Sequence, residues 1–121
     1  MANERPVNVG LIGVGGIAAF THFPGLKTAP GARVMAMTDT ETTLLEQRAK
    51  EWPGVRACRT MDELLDTTGL DAVIVATPNC THRRLVSEAV HAGKQVLGEK
   101  PSAMNLAESR EMLAEAREAG V

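Results

Sequence analysis

Near one end of the chain, residues 96–103 read VLGEKPSA. They set Glu99, Lys100 and Pro101 at the end of an apolar run. A lysine ammonium at a strand end polarises or orients a hydroxyl or carbonyl oxygen. Glu99 beside it tunes that charge or contacts a ribose. Pro101 has no N–H and fixes the direction in which the chain leaves. Taken alone, the pair reads equally as solvated charges at a strand end. Residues 13–18, GVGGIA, form a G-x-G-x-x-A pattern. In such a loop Gly13 allows a tight turn, Gly15 lets a pyrophosphate approach the backbone, and Ala18 packs a helix closely on a sheet. Val14, Gly16 and Ile17 complete the loop, whose N–H groups at a helix start face phosphates. A plain tight turn has the same appearance.

Asp39 lies 21 residues beyond Ala18 and is followed by Thr40. A carboxylate there accepts the ribose hydroxyls of an adenosine and repels a 2′-phosphate. The nearest downstream arginine is Arg48. NAD is therefore favoured over NADP. The bland alternative for Asp39 is a turn residue or helix cap. A third stretch, ATPNCTH, runs from Ala76 to His82. Pro78 stiffens the turn, and Asn79 and Thr81 are candidate caps for the next helix. Asn79 and His82 are placed in the same crevice, with a structural histidine as the alternative for His82.

These residues need a scaffold, and the chain alternates short β-branched runs with helical periods. Strands are expected over 7–13, 32–39, 55–58, 71–77 and 95–99. Helices are expected after the glycine loop, over TTLLEQRAKEW, from a Thr60–Glu63 capping box, over THRRLVSEAVHAG ending at Gly93, and from an Asn105 cap to Gly120. Regular strand–helix alternation predicts an α/β fold, a doubly wound parallel sheet of order 3-2-1-4-5. A sixth strand is expected to follow beyond Val121, so the chain is expected to be cut at an element boundary. Its ligands bind outside the carboxyl ends of the strands, where the first and fourth diverge.

Composition narrows the partners. The 121 residues fit one domain, with 44% hydrophobic and 23% charged residues and a formal charge of −2. No basic run exists and aromatic residues are 2%, which argues against nucleic acid. The apolar run Ala72–Ala76 is too short for a membrane span, and MANERPVNVG carries no apolar signal region, so a cytoplasmic protein is expected. Cys58 and Cys80 are expected to be free thiols. His22, His82 and His91 have no metal-ligand spacing, so no metal is expected.

The segments VGLIGVGGIA, MTDT, DAVIVATPNCTH and HAGKQVLGEKPSA, in this order, resemble the Gfo/Idh/MocA oxidoreductases. The pair A-T-P-N-x-x-H and A-G-K-x-V-x-x-E-K-P carries the resemblance. It implies a Rossmann domain over 1–121, followed by a second α/β domain absent from this chain. It implies hydride transfer between NAD(P) and a sugar, cyclitol or related polyol. By the resemblance Gly13, Gly15, Asp39, Thr77, Pro78, Asn79 and His82 line the cofactor site, with Ala76 beside them. Glu99 lies by the nicotinamide and Lys100 matches the catalytic lysine. The family's D-x-x-x-H pair belongs to the second domain, so the chain alone is expected to be inactive. The other reading is a stand-alone dinucleotide-binding module, a sensor or regulatory subunit without catalysis. If the chain ends at Val121, the fifth strand has an unpaired apolar edge, and a homo-oligomer is expected.

Overall fold

Short apolar runs bounded by turn residues form the strands β1 (Val7–Ile12), β2 (Ala32–Thr38), β3 (Arg56–Cys58), β4 (Ala72–Val75) and β5 (Gln95–Gly98). In the computed structural model, which describes residues 4–121, they pair in parallel in the order β3-β2-β1-β4-β5. This is the order expected from the alternation of elements. The first three residues of the N-terminal stretch lie outside the described residues.

Buried on both faces, the central strands alternate between two cores. Val9, Leu11, Val34, Met37 and Ile74 meet α1 (Phe23–Thr28) and α2 (Thr42–Lys50) through Phe23, Leu26, Leu45 and Ala49. Ile12, Ala36, Val73 and Val75 meet α3 (Met61–Leu65), α4 (His82–His91) and α5 (Leu106–Ala119). Leu85, Val86, Ala89 and Val90 form the buried stripe of α4, as their helical spacing predicts. Leu11, Leu64, Val73 and Val75 are fully buried, and each contributes about 1.5–3 kcal/mol by leaving water. Cys58 and Cys80 are free thiols. Among the described residues no helix is long and apolar enough to cross a membrane.

Helix boundaries follow local chemistry. Thr60 and Asn105 accept the N–H of Glu63 and Glu108, as expected of caps. Each glutamate reaches one residue further back than a capping box does, to the N–H of Arg59 and Met104. Gly93 and Gly120 end α4 and α5 with φ of 74°. The stretch after the glycine loop is helical but not uniformly α. Ala18–His22 is a π-helical segment, closed by Phe23 N–H on Ala18 O. Pro24 supplies the reason: it lacks the N–H that Phe20 O would receive, and its ring crowds that carbonyl. A widened turn relieves both.

One ion pair ties β1 to β4 at the far end of the sheet from the glycine loop. Both terminal guanidinium nitrogens of Arg5 donate to the Asp71 carboxylate, at 2.6 and 2.7 Å, and Asn8 N–H adds a bond of 2.8 Å. The Arg5 hydrogen bonds, then Asn8, hold the Asp71 carboxyl well below the usual carboxylate range. A group depressed in the folded state stabilises fully above its unfolded pKa, about 3.9, and loses that effect as pH falls towards its folded pKa. Asp71→Asn is therefore expected to lower the urea midpoint at pH 7. The gap to the parent should shrink as pH drops below about 4. A gap that stays constant from pH 7 to pH 2 would contradict this assignment.

Candidate functional site

The carboxyl ends of β1, β2 and β4 open on one crevice, at the point between β1 and β4 where the strand order turns back. β1 runs into Gly13, which has φ of 88° and donates its N–H to Thr38 O at 2.9 Å. A Cβ on Gly13 would lie 2.6 Å from Ala76 O, so only glycine lets the loop close against β4. Gly15 is different: a Cβ there would meet nothing within 4 Å. No internal packing requires that glycine. The missing side chain leaves the backbone open to the crevice, as close approach of a ligand demands. Ala18 is buried in the core below. The N–H groups of Gly15, Gly16 and Ile17 take no partner outside their helix among the described residues, as at any helix start.

Val14 turns inward. Its side chain is buried, its N–H donates to Asp39 Oδ2 at 2.8 Å, and its carbonyl accepts Arg48 Nε–H at 3.2 Å. It fastens the loop rather than facing the crevice. Asp39 therefore has a task that its sequence position did not suggest. One carboxylate oxygen holds the glycine loop, and the other accepts Glu41 N–H at 2.9 Å. Each oxygen still keeps a lone pair, since a carboxylate offers about four acceptor sites. Gly13, Gly15, Asp39, Thr40, Ala76, Thr77 and Pro78 line one cavity of about 490 Å³. The same cavity takes in Arg59 and Arg84, which the sequence reading did not single out, and Thr60, expected only as a helix cap.

At the end of β4 the caps expected from Asn79 and Thr81 do not form. The Thr81 hydroxyl is engaged within the turn instead, 2.6 Å from both Pro78 O and Thr77 Oγ1. His82 sits beneath the crevice and not in it. It is 1% exposed, with ring nitrogens 2.8 Å from Thr77 O and 2.9 Å from Pro101 O. As the first residue of α4 its side chain leans back under the preceding turn. It staples the loop after β4 to the loop after β5.

β5 pairs with β4 through Val75 and Gly98, so Glu99 and Lys100 emerge beside the β4 loop. Glu99 contacts His22 Nε2 at 2.7 Å, joining the π-helical segment to the end of β5. His22 had no role in the sequence reading beyond the absence of metal spacing. The visible cue was Pro24, two residues on. Lys100 is exposed, and its ammonium takes no hydrogen bond or ion pair among the described residues. The Lys100–Pro101 peptide is cis.

Residues 7–121 match the family model described as "Oxidoreductase family, NAD-binding Rossmann fold", GFO_IDH_MocA. The chain belongs to the Gfo/Idh/MocA oxidoreductase family. Among Gfo/Idh/MocA relatives, it is 39% identical over 112 residues to 1,5-anhydro-D-fructose reductase of Ensifer adhaerens, covering 93% of this chain and 33% of the relative. It is 33% identical over 119 residues to scyllo-inositol 2-dehydrogenase (NAD(+)) of Bacillus subtilis, covering 98% and 34%. The crystal structure of KijD10, a 3-ketoreductase from Actinomadura kijaniata in complex with NADP and TDP-benzene, superposes with a TM-score of 0.91. That match has 30% identity and covers 97% of this chain and 36% of KijD10. The chain thus spans about a third of the length of the Gfo/Idh/MocA relatives it matches.

Proposed function

We propose that residues 1–121 are the cofactor domain of an oxidoreductase that moves a hydride between NAD(P) and a carbon of a sugar, cyclitol or related polyol. In this reading a second, substrate-binding domain follows beyond Val121. The observation that carries the proposal is the open backbone at Gly15, set beside Asp39 and the β4 loop with Lys100 emerging one strand away. A Cβ would fill that space, and the flanking chemistry fits a dinucleotide.

Gly13, Gly15, Gly16 and Ile17 would hold the pyrophosphate, and Asp39 and Thr40 the adenosine ribose. Ala76, Thr77, Pro78 and Asn79 would form the opposite wall, with Glu99 and Lys100 at the nicotinamide end. Val14 and His82 contribute by fixing the two loops. The cofactor supplies the hydride chemistry. Lys100 would orient and polarise the substrate oxygen, with its charge left free because Glu99 is engaged by His22. Asp39 supports NAD as ligand. Relatives named for NAD(+) and bound to NADP leave both within the family's range.

Calorimetric titration of the chain with NADH and NADPH tests the reading. Gly15→Val makes the test specific. Because nothing lies within 4 Å of that Cβ, the variant should fold with an unchanged urea midpoint. It should lose more than about tenfold in dinucleotide affinity, since each hydrogen bond to a charged group is worth about 1.5–3 kcal/mol. A parent chain that binds neither dinucleotide, or a Gly15→Val chain that binds as well as the parent, would overturn it.

A further inference from the structure

We propose that Arg59 makes this site a receptor for the 2′-phosphate of NADP, so that both dinucleotides bind. The inference rests on the dinucleotide reading above and concerns its specificity. β2 and β3 are parallel neighbours with Thr38 paired to Cys58. Asp39 and Arg59 are the residues that immediately follow the two strands. Adjacent strands lie about 4.8 Å apart, so the sheet brings the backbones of Asp39 and Arg59 out side by side at one edge. Both residues line the same cavity.

Three further observations single out Arg59. First, Asp39 is not a bare charge, since both its oxygens accept backbone N–H groups. Second, the other arginines nearby are committed. Arg48 donates to Val14 O and Glu51, and Arg84 to Glu88 at 2.7 Å. Third, Arg59 is exposed, and its guanidinium makes no hydrogen bond or ion pair among the described residues. Its backbone is fixed by Glu63, which accepts its N–H at 2.9 Å. An anchored residue with five unused donors in a planar fork suits a phosphate better than a ribose hydroxyl. An aspartate alone would repel a 2′-phosphate, but an aspartate bridged by two amides with an arginine one strand away need not exclude it.

The test is titration of the parent chain, Arg59→Ala and Arg59→Lys with NADH and with NADPH, with the urea midpoint confirming that each variant folds. The parent should bind NADPH within about tenfold of NADH. Arg59→Ala should weaken NADPH by about tenfold or more, the worth of one hydrogen bond between charged groups. NADH should change by less than about twofold, a change of under half a kcal/mol. Arg59→Lys should keep part of the NADPH affinity, because it keeps the charge and loses the fork. Equal weakening of both dinucleotides would assign Arg59 to adenine or pyrophosphate and overturn the proposal. So would a parent chain that binds NADH and rejects NADPH, which leaves the dinucleotide reading intact. If neither ligand binds, both readings fall.

Discussion

Replacing Lys100 by alanine in an oxidoreductase carrying this domain is expected to lower kcat between about a hundredfold and about ten-thousandfold, the range for loss of a positioned proton-transfer or charge-stabilising group. Dinucleotide affinity should move by no more than a few-fold. The split follows from placement. Lys100 lies outside the cavity lined by Gly13, Gly15 and Asp39, so it contributes little to holding the adenosine half. Its ammonium is exposed and unpaired among the described residues, and its neighbour Glu99 is taken by His22. Such a charge is available to an oxygen on which negative charge develops. Arginine should restore little, because a planar guanidinium on a longer arm does not reproduce a compact ammonium. Steady-state kinetics alongside dinucleotide titration reads both quantities. Loss of affinity with kcat preserved would make Lys100 a cofactor contact and remove it from the chemistry.

The second large effect is on the fold. Gly13→Ala is expected to destabilise the chain by about 2–5 kcal/mol. That range combines about 1–2 kcal/mol for a side chain at positive φ with about 1–3 kcal/mol for overpacking. Gly13 has φ of 88°, and a new methyl group would lie 2.6 Å from Ala76 O and 2.9 Å from Thr77 Cγ2. Relief requires the loop to lift off the end of β4. The Gly13 N–H bond to Thr38 O would then be lost, and the cavity wall with it. Dinucleotide binding should fall together with the urea midpoint. Gly15→Val should lose binding yet spare the midpoint, so the two glycines of one motif are expected to differ in their effect on stability. An unchanged midpoint in Gly13→Ala would show that the loop closes differently.

Much of this architecture is written in local sequence. Alternating apolar runs and helical periods specify five strands in the order 3-2-1-4-5, because short right-handed crossovers leave few other arrangements. Thr60 and Asn105 start their helices, and Gly93 and Gly120 end theirs, by interactions that span a few residues. Glycines 13 and 15 are visible because steric limits act on single residues. The E-K-P stretch is visible as chemistry at a strand end.

Only the tertiary structure decided what the polar residues do with one another. Val14 and Asp39 are 25 residues apart, His22 and Glu99 are 77 apart, and His82 and Pro101 are 19 apart. No periodicity links such pairs. They meet because parallel register brings successive strand ends to one edge. Asp39 thereby becomes an anchor of the glycine loop, and His82, which the spacing placed in the crevice, becomes a buried staple beneath it. Arg59 comes to the same cavity as Asp39 for the same reason, one strand away across 20 residues of chain. The sequence by itself determined the sheet, the turns and the identity of the reactive groups, since these depend on steric and hydrophobic preferences of near neighbours. Which carboxylate is engaged, which cation is free and which histidine is sealed away depended on distances that exist only once the sheet has formed.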